Sequence, residues 1–364
     1  MEALPARPPL PEGFEVALVL SGGATLGAYH VGACAALRDR DVRPARIAGV
    51  SIGAVTAAIL LGNPPDRALD RLRAFWAEIA QPDAPWTRML PDALRARWGN
   101  NLGLASLLQG RPGVFAPRYP GPWSILPGSP PDLGLRDHRP LAATLARFVD
   151  FDRLNDPATT PLSIAAVDLG SGEEVWFENR NGGLRAEHLL AATALAPLFA
   201  PVEVGGRMLC DAGVANNLPV DRIVRASTER PTLCLAVDLY APRGERPQTL
   251  DQVATRMQDL AFHLQSRRSL SFLGRERALR RQADPALPPM ILGHVAYRAP
   301  GHERTFKAVD FSAVVLEDRM AQGRRDMDRL LDRLASAPRN EALALVALAS
   351  DTAAETPPAR AAAS

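Results

Sequence analysis

The pentapeptide Gly49-Val50-Ser51-Ile52-Gly53 sets a serine between two glycines, directly after the β-rich run Ile47–Val50 and directly before a helical run over 54–61. A strand-to-helix reversal this sharp exposes the hydroxyl, and glycines on both sides remove side chains that would collide. Ser51 then stands at a helix N-terminus. Unpaired N–H groups and the positive helix end favour negative charge there, and acyl transfer develops an oxyanion. Upstream, Val16–Leu20 runs into Ser21-Gly22-Gly23-Ala24-Thr25-Leu26-Gly27 and then into a helix through Leu37. This is neither a dinucleotide fingerprint nor a P-loop: the glycines read GGxxxG, no GK[ST] follows, and no acidic residue closes the next strand. Its amides suit an anion. One strand–helix–strand unit before Ser51, the loop reaches the same sheet edge, so Gly22, Gly23 and Ala24 are predicted to form an oxyanion hole.

A nucleophilic serine needs a base. Asp211 closes the apolar run Arg207–Cys210 and is followed by Ala212-Gly213. A carboxylate in so tight a turn can take the serine proton if held within hydrogen-bond reach, although turn capping is the ordinary role of such an aspartate. The histidines are His30, His138, His188, His263, His294 and His302. In the chain order of an α/β-hydrolase triad, His294 or His302 would serve instead.

These motifs, in this order, resemble the patatin-like phospholipases. The loop Gly22–Gly27, the elbow Gly49–Gly53 and the turn Asp211-Ala212-Gly213 carry the likeness, with Ala194–Pro201 before that turn and Val214–Val220 after it. The likeness spans about Val16 to Arg225. Gly113–Arg118, and Val309–Ser312 with Arg319 and Gly323, look like features of a bacterial subgroup with a C-terminal extension. The resemblance implies an α/β fold, a three-layer sandwich with a mainly parallel central sheet. It also implies a Ser51–Asp211 dyad working through an acyl-enzyme, an oxyanion hole at Gly22, Gly23 and Ala24, and supporting glycines at Gly27, Gly49, Gly53 and Gly213. The substrate would be a lipid or other ester, with no cofactor, no metal, no nucleic acid and transient contact with a membrane surface. Three positions depart from the pattern and bear on rate: Ala24 replaces a third glycine, Leu26 a basic residue, and Ala212 a glycine. Two other readings stay open, a Ser–His–Asp esterase and a catalytically weak lipid-binding protein.

The elements that must position these residues are legible as alternating patterns. Short β-rich runs occur at Glu15–Leu20, Ile47–Val50, Leu162–Val167, Val175–Phe177, Arg207–Cys210 and Thr232–Leu239. Helical patterns separate several of them, which predicts a mainly parallel sheet under helices. Gly170-Ser171-Gly172-Glu173 predicts an antiparallel hairpin. The stretch from about 82 to 137, with Trp86, Trp98 and Trp123, reads as an irregular insert. Two helical stripes follow residue 243, one on Val253, Met257, Leu260, Ala261 and Leu264, the other on Leu316, Met320, Met327, Leu330, Leu331 and Leu334. The expected organisation is a lead-in over 1–13, a catalytic unit over 14–225, a largely helical extension over 226–345 and a tail over 346–364.

Composition sets the outer limits. Among 364 residues, Lys+Arg 42 against Asp+Glu 40 is too balanced for a chain whose main work is holding nucleic acid. Lys307 is the one lysine. Cys34, Cys210 and Cys234 form no CxxC pair, so neither a disulfide framework nor a zinc site is signalled. No signal-like or spanning run appears, and the expectation is a cytoplasmic protein, peripheral at most. Arg267, Arg268, Arg275, Arg277, Arg280 and Arg281 would line a basic helix face, read first as solvated and second as lipid-facing.

Overall fold

The computed structural model describes residues 9–118, 133–226, 229–244 and 246–348. The lead-in before residue 9, Trp123 and the tail from 349 lie outside the described residues. The first part of the chain contains β1 (Glu15–Leu20), α1 (Ala28–Asp39), β2 (Arg46–Val50), α2 (Ile52–Leu61), α3 (Ala68–Ile79), α4 (Asp92–Gln109), β3 (Ala116–Pro117), β4 (Arg136–Asp137), α5 (Pro140–Phe148) and α6 (Phe151–Leu154). There follow β5 (Leu162–Asp168), β6 (Glu174–Glu178), α7 (Ala186–Ala192), β7 (Val202–Val204), β8 (Arg207–Asp211) and α8 (Val220–Ala226). The remainder is β9 (Thr232–Asp238), α9 (Leu250–Ala283), β10 (Met290–Ala296), α10 (Ala313–Leu334) and β11 (Ala344–Ala347).

The main sheet runs β11-β10-β9-β1-β2-β5-β8-β7, with β6 also paired to β5. Pairing is parallel from β11 to β5, while β6, β7 and β8 are antiparallel. Both faces are covered, which is why the central strands read as continuous apolar runs. In β1, Leu18 and Leu20 pack with α1, α2 and α10, whereas Ala17 and Val19 pack with α8 and α9. The result is the mainly parallel sheet under helices that the alternating pattern predicts and the three-layer sandwich that the resemblance implies, and the hairpin β5–β6 forms as expected.

One feature of register brings distant residues together. β2 ends at Val50, paired with Ala165 of β5, and the next β5 residue, Ala166, pairs with Asp211 at the end of β8. Because β6 occupies one edge of β5 along Ser163–Val167, β8 takes the edge that β2 vacates. The start of α2 and the end of β8 therefore meet.

Three expectations need correction. The insert contains α4, eighteen residues long. Its apolar side chains Leu94, Trp98, Leu104 and Leu108 are exposed and form no single stripe, so the periodic signal is weak. The apolar stripe on α9 does not face the core: Val253, Met257 and Leu264 are exposed, and the inward side carries Thr255, His263, Ser266, Leu273 and Arg277. That side meets strand-end and loop carbonyls, such as Ala342 O, which accepts from Arg277 Nε at 2.7 Å, so donors rather than methyl groups are needed there. Finally, β9, β10 and β11 share the main sheet, so the division at 225 falls inside one sheet.

α10 docks as its stripe predicts, with Leu316, Met327, Leu330, Leu331 and Leu334 buried. It crosses α1 backbone to backbone. A Cβ on Gly32 would lie 1.8 Å from Met320 O and one on Gly323 would lie 2.1 Å from Tyr29 O. Among the described residues, no helix is long and apolar enough to cross a membrane.

Candidate active site

Ser51 occupies the reversal between β2 and α2 with φ 54° and ψ −124°. Strain of this kind costs on the order of 1–3 kcal/mol and survives only where the surroundings dictate it. Here they do, since a Cβ on Gly53 would stand 2.2 Å from Leu20 O. The first turn of α2 thus lies against the end of β1, and only glycine permits that approach.

Asp211 is 3% exposed. Its Oδ1 accepts a hydrogen bond from Gly213 N at 2.8 Å, and Ser51 lines the same cavity beside it. Burial pushes the carboxyl up to about 6, although the neighbouring Ser51 hydroxyl and the Gly213 amide pull the other way. The structure therefore brings the predicted serine and aspartate to one site, where burial raises the carboxyl toward neutrality.

The glycine-rich loop passes over the same point. Gly22 N donates to Asn217 O at 3.2 Å, and Asn217 Nδ2 donates to Gly22 O at 3.2 Å. The Gly22 amide is thereby spent, which corrects the expected set of three oxyanion donors. The amides of Gly23 and Ala24 have no acceptor among the described residues. Ala24 adopts φ 48°, the left-handed region that a glycine would enter freely. Gly27 lets Ile52 approach, since a Cβ there would meet Ile52 Cγ1 at 2.5 Å. Asn217 is the residue the sequence did not single out for a role. It ties the oxyanion loop to the aspartate turn, where a Cβ on Gly213 would meet its Oδ1 at 3.0 Å.

Ser51 and Asp211 open onto a cavity of about 310 Å³ whose walls include Phe75, Trp76, Ile79, Phe115, Leu141, Phe199, Phe262 and Phe311. Residues on both sides of position 225 contribute. The lining is mostly apolar, with Thr193, Gln258 and Thr305 among its polar members, and fits a hydrocarbon chain placed beside the serine.

The alternative bases lie elsewhere. His294 is buried on β10, with Nε2 3.5 Å from Asp238 Oδ2, and His302 Nδ1 lies 3.8 Å from Asp92 Oδ1. Neither lines the cavity. His138 does, but its Nε2 is bonded to Leu190 O at 3.2 Å and its ring stacks on Phe199. The Ser–His–Asp arrangement is thus overturned by position. Asp238 is itself fully buried. Burial would raise its carboxyl, but His263 and His294 outweigh that and hold it at about 2. Among the described residues, no group of three or more His, Cys, Asp or Glu is arranged to hold a metal ion. The basic face proposed for α9 is also interrupted: Arg277 turns inward and Arg280 pairs with Glu276 at 2.5 Å.

Comparison with known proteins adds to this geometry. The Patatin family model, described as patatin-like phospholipase, matches residues 18–224. An uncharacterized NTE family protein of Mycobacterium tuberculosis is 28% identical over 226 residues, which is 62% of this chain and 49% of the relative. The chain thus spans about half the length of that relative. Triacylglycerol lipase 5 of Saccharomyces cerevisiae is 54% identical over 43 residues, 12% of this chain and 6% of its own. Among solved structures, human GIVD cytosolic phospholipase A2 in complex with methyl gamma-linolenyl fluorophosphonate aligns at a TM-score of 0.41 and 15% identity. That alignment covers 89% of this chain and 59% of the human one.

Proposed function

The chain belongs to the patatin-like phospholipase family, and from that premise we propose that it is a lipid acyl hydrolase whose nucleophile is Ser51 and whose general base is Asp211. The observation that carries this reading is that Ser51, at the start of α2, and the buried Asp211, at the end of β8, line one mostly apolar cavity together. In the first step, Ser51 Oγ attacks the ester carbonyl carbon while Asp211 takes its proton. The carbonyl oxygen becomes an oxyanion facing the Gly23 and Ala24 amides. Asp211 then returns the proton to the departing alcohol as the tetrahedral species collapses to the acyl-enzyme. Asp211 next removes a proton from water, which attacks the acyl carbon, and the serine recovers a proton as the fatty acid leaves. A carboxyl near 6 suits both halves, because it is ionised at neutral pH yet basic enough to hold a proton briefly.

In this reading residues 14–225 carry the chemistry, and 226–345 complete the sheet and wall the cavity through Tyr240, Phe262 and Phe311. The enzyme would meet its lipid from the aqueous side, in transient contact with a membrane surface and in the cytoplasm.

The test is hydrolysis of a panel of acyl esters and lipids together with labelling by a fluorophosphonate. Wild type should hydrolyse and label. Ser51→Ala should do neither, Asp211→Asn should lose activity by about a thousandfold or more, and His294→Ala and His302→Ala should stay active. Retention of most activity by Asp211→Asn would sink the dyad. Absence of labelling in the wild type would favour a lipid-binding protein over an enzyme.

A further inference from the structure

The loop that offers the Gly23 and Ala24 amides is gripped from behind by a buried guanidinium on a helix from the far end of the chain. Arg319, on α10, is 1% exposed. Its Nη1 donates to Thr25 Oγ1 at 3.0 Å, and its Nη2 donates to Lys307 O at 2.8 Å and to Glu303 Oε2 at 2.9 Å. Its Nε donates to Glu303 Oε1 at 3.2 Å, and the same oxygen accepts from Tyr297 Oη at 2.6 Å. Thr25 Oγ1 in turn donates to Lys307 O at 2.9 Å. One hydroxyl thus accepts from a cation and donates to a carbonyl, which leaves its side chain a single orientation.

Two facts make this more than packing. Ala24, next to Thr25, is held at φ 48°, a backbone state its own side chain disfavours, and its N–H bonds to nothing in the described structure that would keep it there. The conformation is therefore imposed through its neighbours. A buried ion pair such as Arg319–Glu303 is also seldom the most stabilising filling for its volume, and in some folds such pairs are kept for the geometry they specify. We infer that Arg319 is a positioning residue for acyl transfer, holding the Ala24 amide toward the oxyanion through Thr25 Oγ1. This rests on the reading of Ser51 as nucleophile.

The experiment uses the full chain and compares wild type, Ser51→Ala, Thr25→Val, Thr25→Ser and Arg319→Lys. Readouts are kcat and KM on a p-nitrophenyl acyl ester and the rate of fluorophosphonate labelling. Thr25→Val keeps the shape of the side chain and leaves the Arg319–Glu303 pair intact. Its kcat and labelling rate should each fall about tenfold or more with KM within about twofold, the pattern of an interaction used only in the transition state. Thr25→Ser should restore most of the loss, and Arg319→Lys should lower kcat in the same way. If Arg319→Lys does not fold, Thr25→Val decides. A folded Thr25→Val with wild-type kcat, or with only KM changed, overturns the inference while leaving the serine mechanism standing. Failure of wild type to label or hydrolyse in a Ser51-dependent way overturns both.

Discussion

Two buried aspartates show how residue-scale chemistry follows from surroundings. Asp211 is raised from 3.8 to about 6, chiefly by burial, whereas Asp238 is lowered to about 2 because two histidines outweigh the same effect. For Asp211 the active form is the carboxylate, so kcat/KM should rise with pH through about 6 and level off above it. A pH–rate profile checks this, and a flat profile between pH 5 and 8 would count against Asp211 as base. Its stability effect has the opposite sense. A carboxyl raised in the folded state contributes stability below its unfolded value, and that contribution disappears as pH rises through the folded one. Asp211→Asn should therefore be more stable than wild type at pH 8, by about 3 kcal/mol, and gain little at pH 4. For Asp238 the contribution is present above its ordinary value of 3.8 and fades as pH falls toward 2. Asp238→Asn should accordingly melt lower than wild type at pH 7, and thermal melts of both variants at several pH values would show the contrast.

At the scale of elements, the packing of α1 on α10 and the exposure of α9 make opposite demands. The α1–α10 crossing puts Gly323 against Tyr29 O, so Gly323→Val should destabilise by about 3 kcal/mol or more in a denaturant titration. Leu330→Ala, on the buried side of α10 that faces Gly293 of β10, should cost about 2–5 kcal/mol. On α9, Met257 is 59% exposed, and Met257→Ser should change stability by about 0.5 kcal/mol or less. Equal costs for Leu330→Ala and Met257→Ser would mean that α9 is packed the other way round. The α10 stripe was legible because its helical period coincides with a real apolar interface. The equally regular α9 stripe misled because its buried side is polar, and period alone does not say which side a helix turns inward. α4 escaped notice for a related reason: apolar residues spread around a helix leave no period to read.

For the whole molecule, the sheet sets the limits of what folds alone. β1 pairs with β9 from Glu15 to Leu20, and β9 pairs with β10 along its full length. A fragment ending at 226 would expose the edge of β1 and the side of α1 that α10 covers, so it should show no cooperative unfolding transition by circular dichroism. A cooperative melt of that fragment would contradict this. Much of the candidate site was legible in the sequence, because a serine between glycines at a strand end, a glycine-rich turn after a strand and an aspartate after another are local patterns whose geometry follows from backbone sterics. The α/β class followed from the alternation of apolar periods for the same local reason. Tertiary structure alone decided the rest. The meeting of Ser51 with Asp211 depends on which edge of β5 is free, and the loss of the Gly22 amide depends on Asn217. The clamp on Thr25 depends on a helix near the end of the chain. Each is a contact between segments far apart in sequence, where spacing carries no information and only the folded register determines which groups come within hydrogen-bond reach.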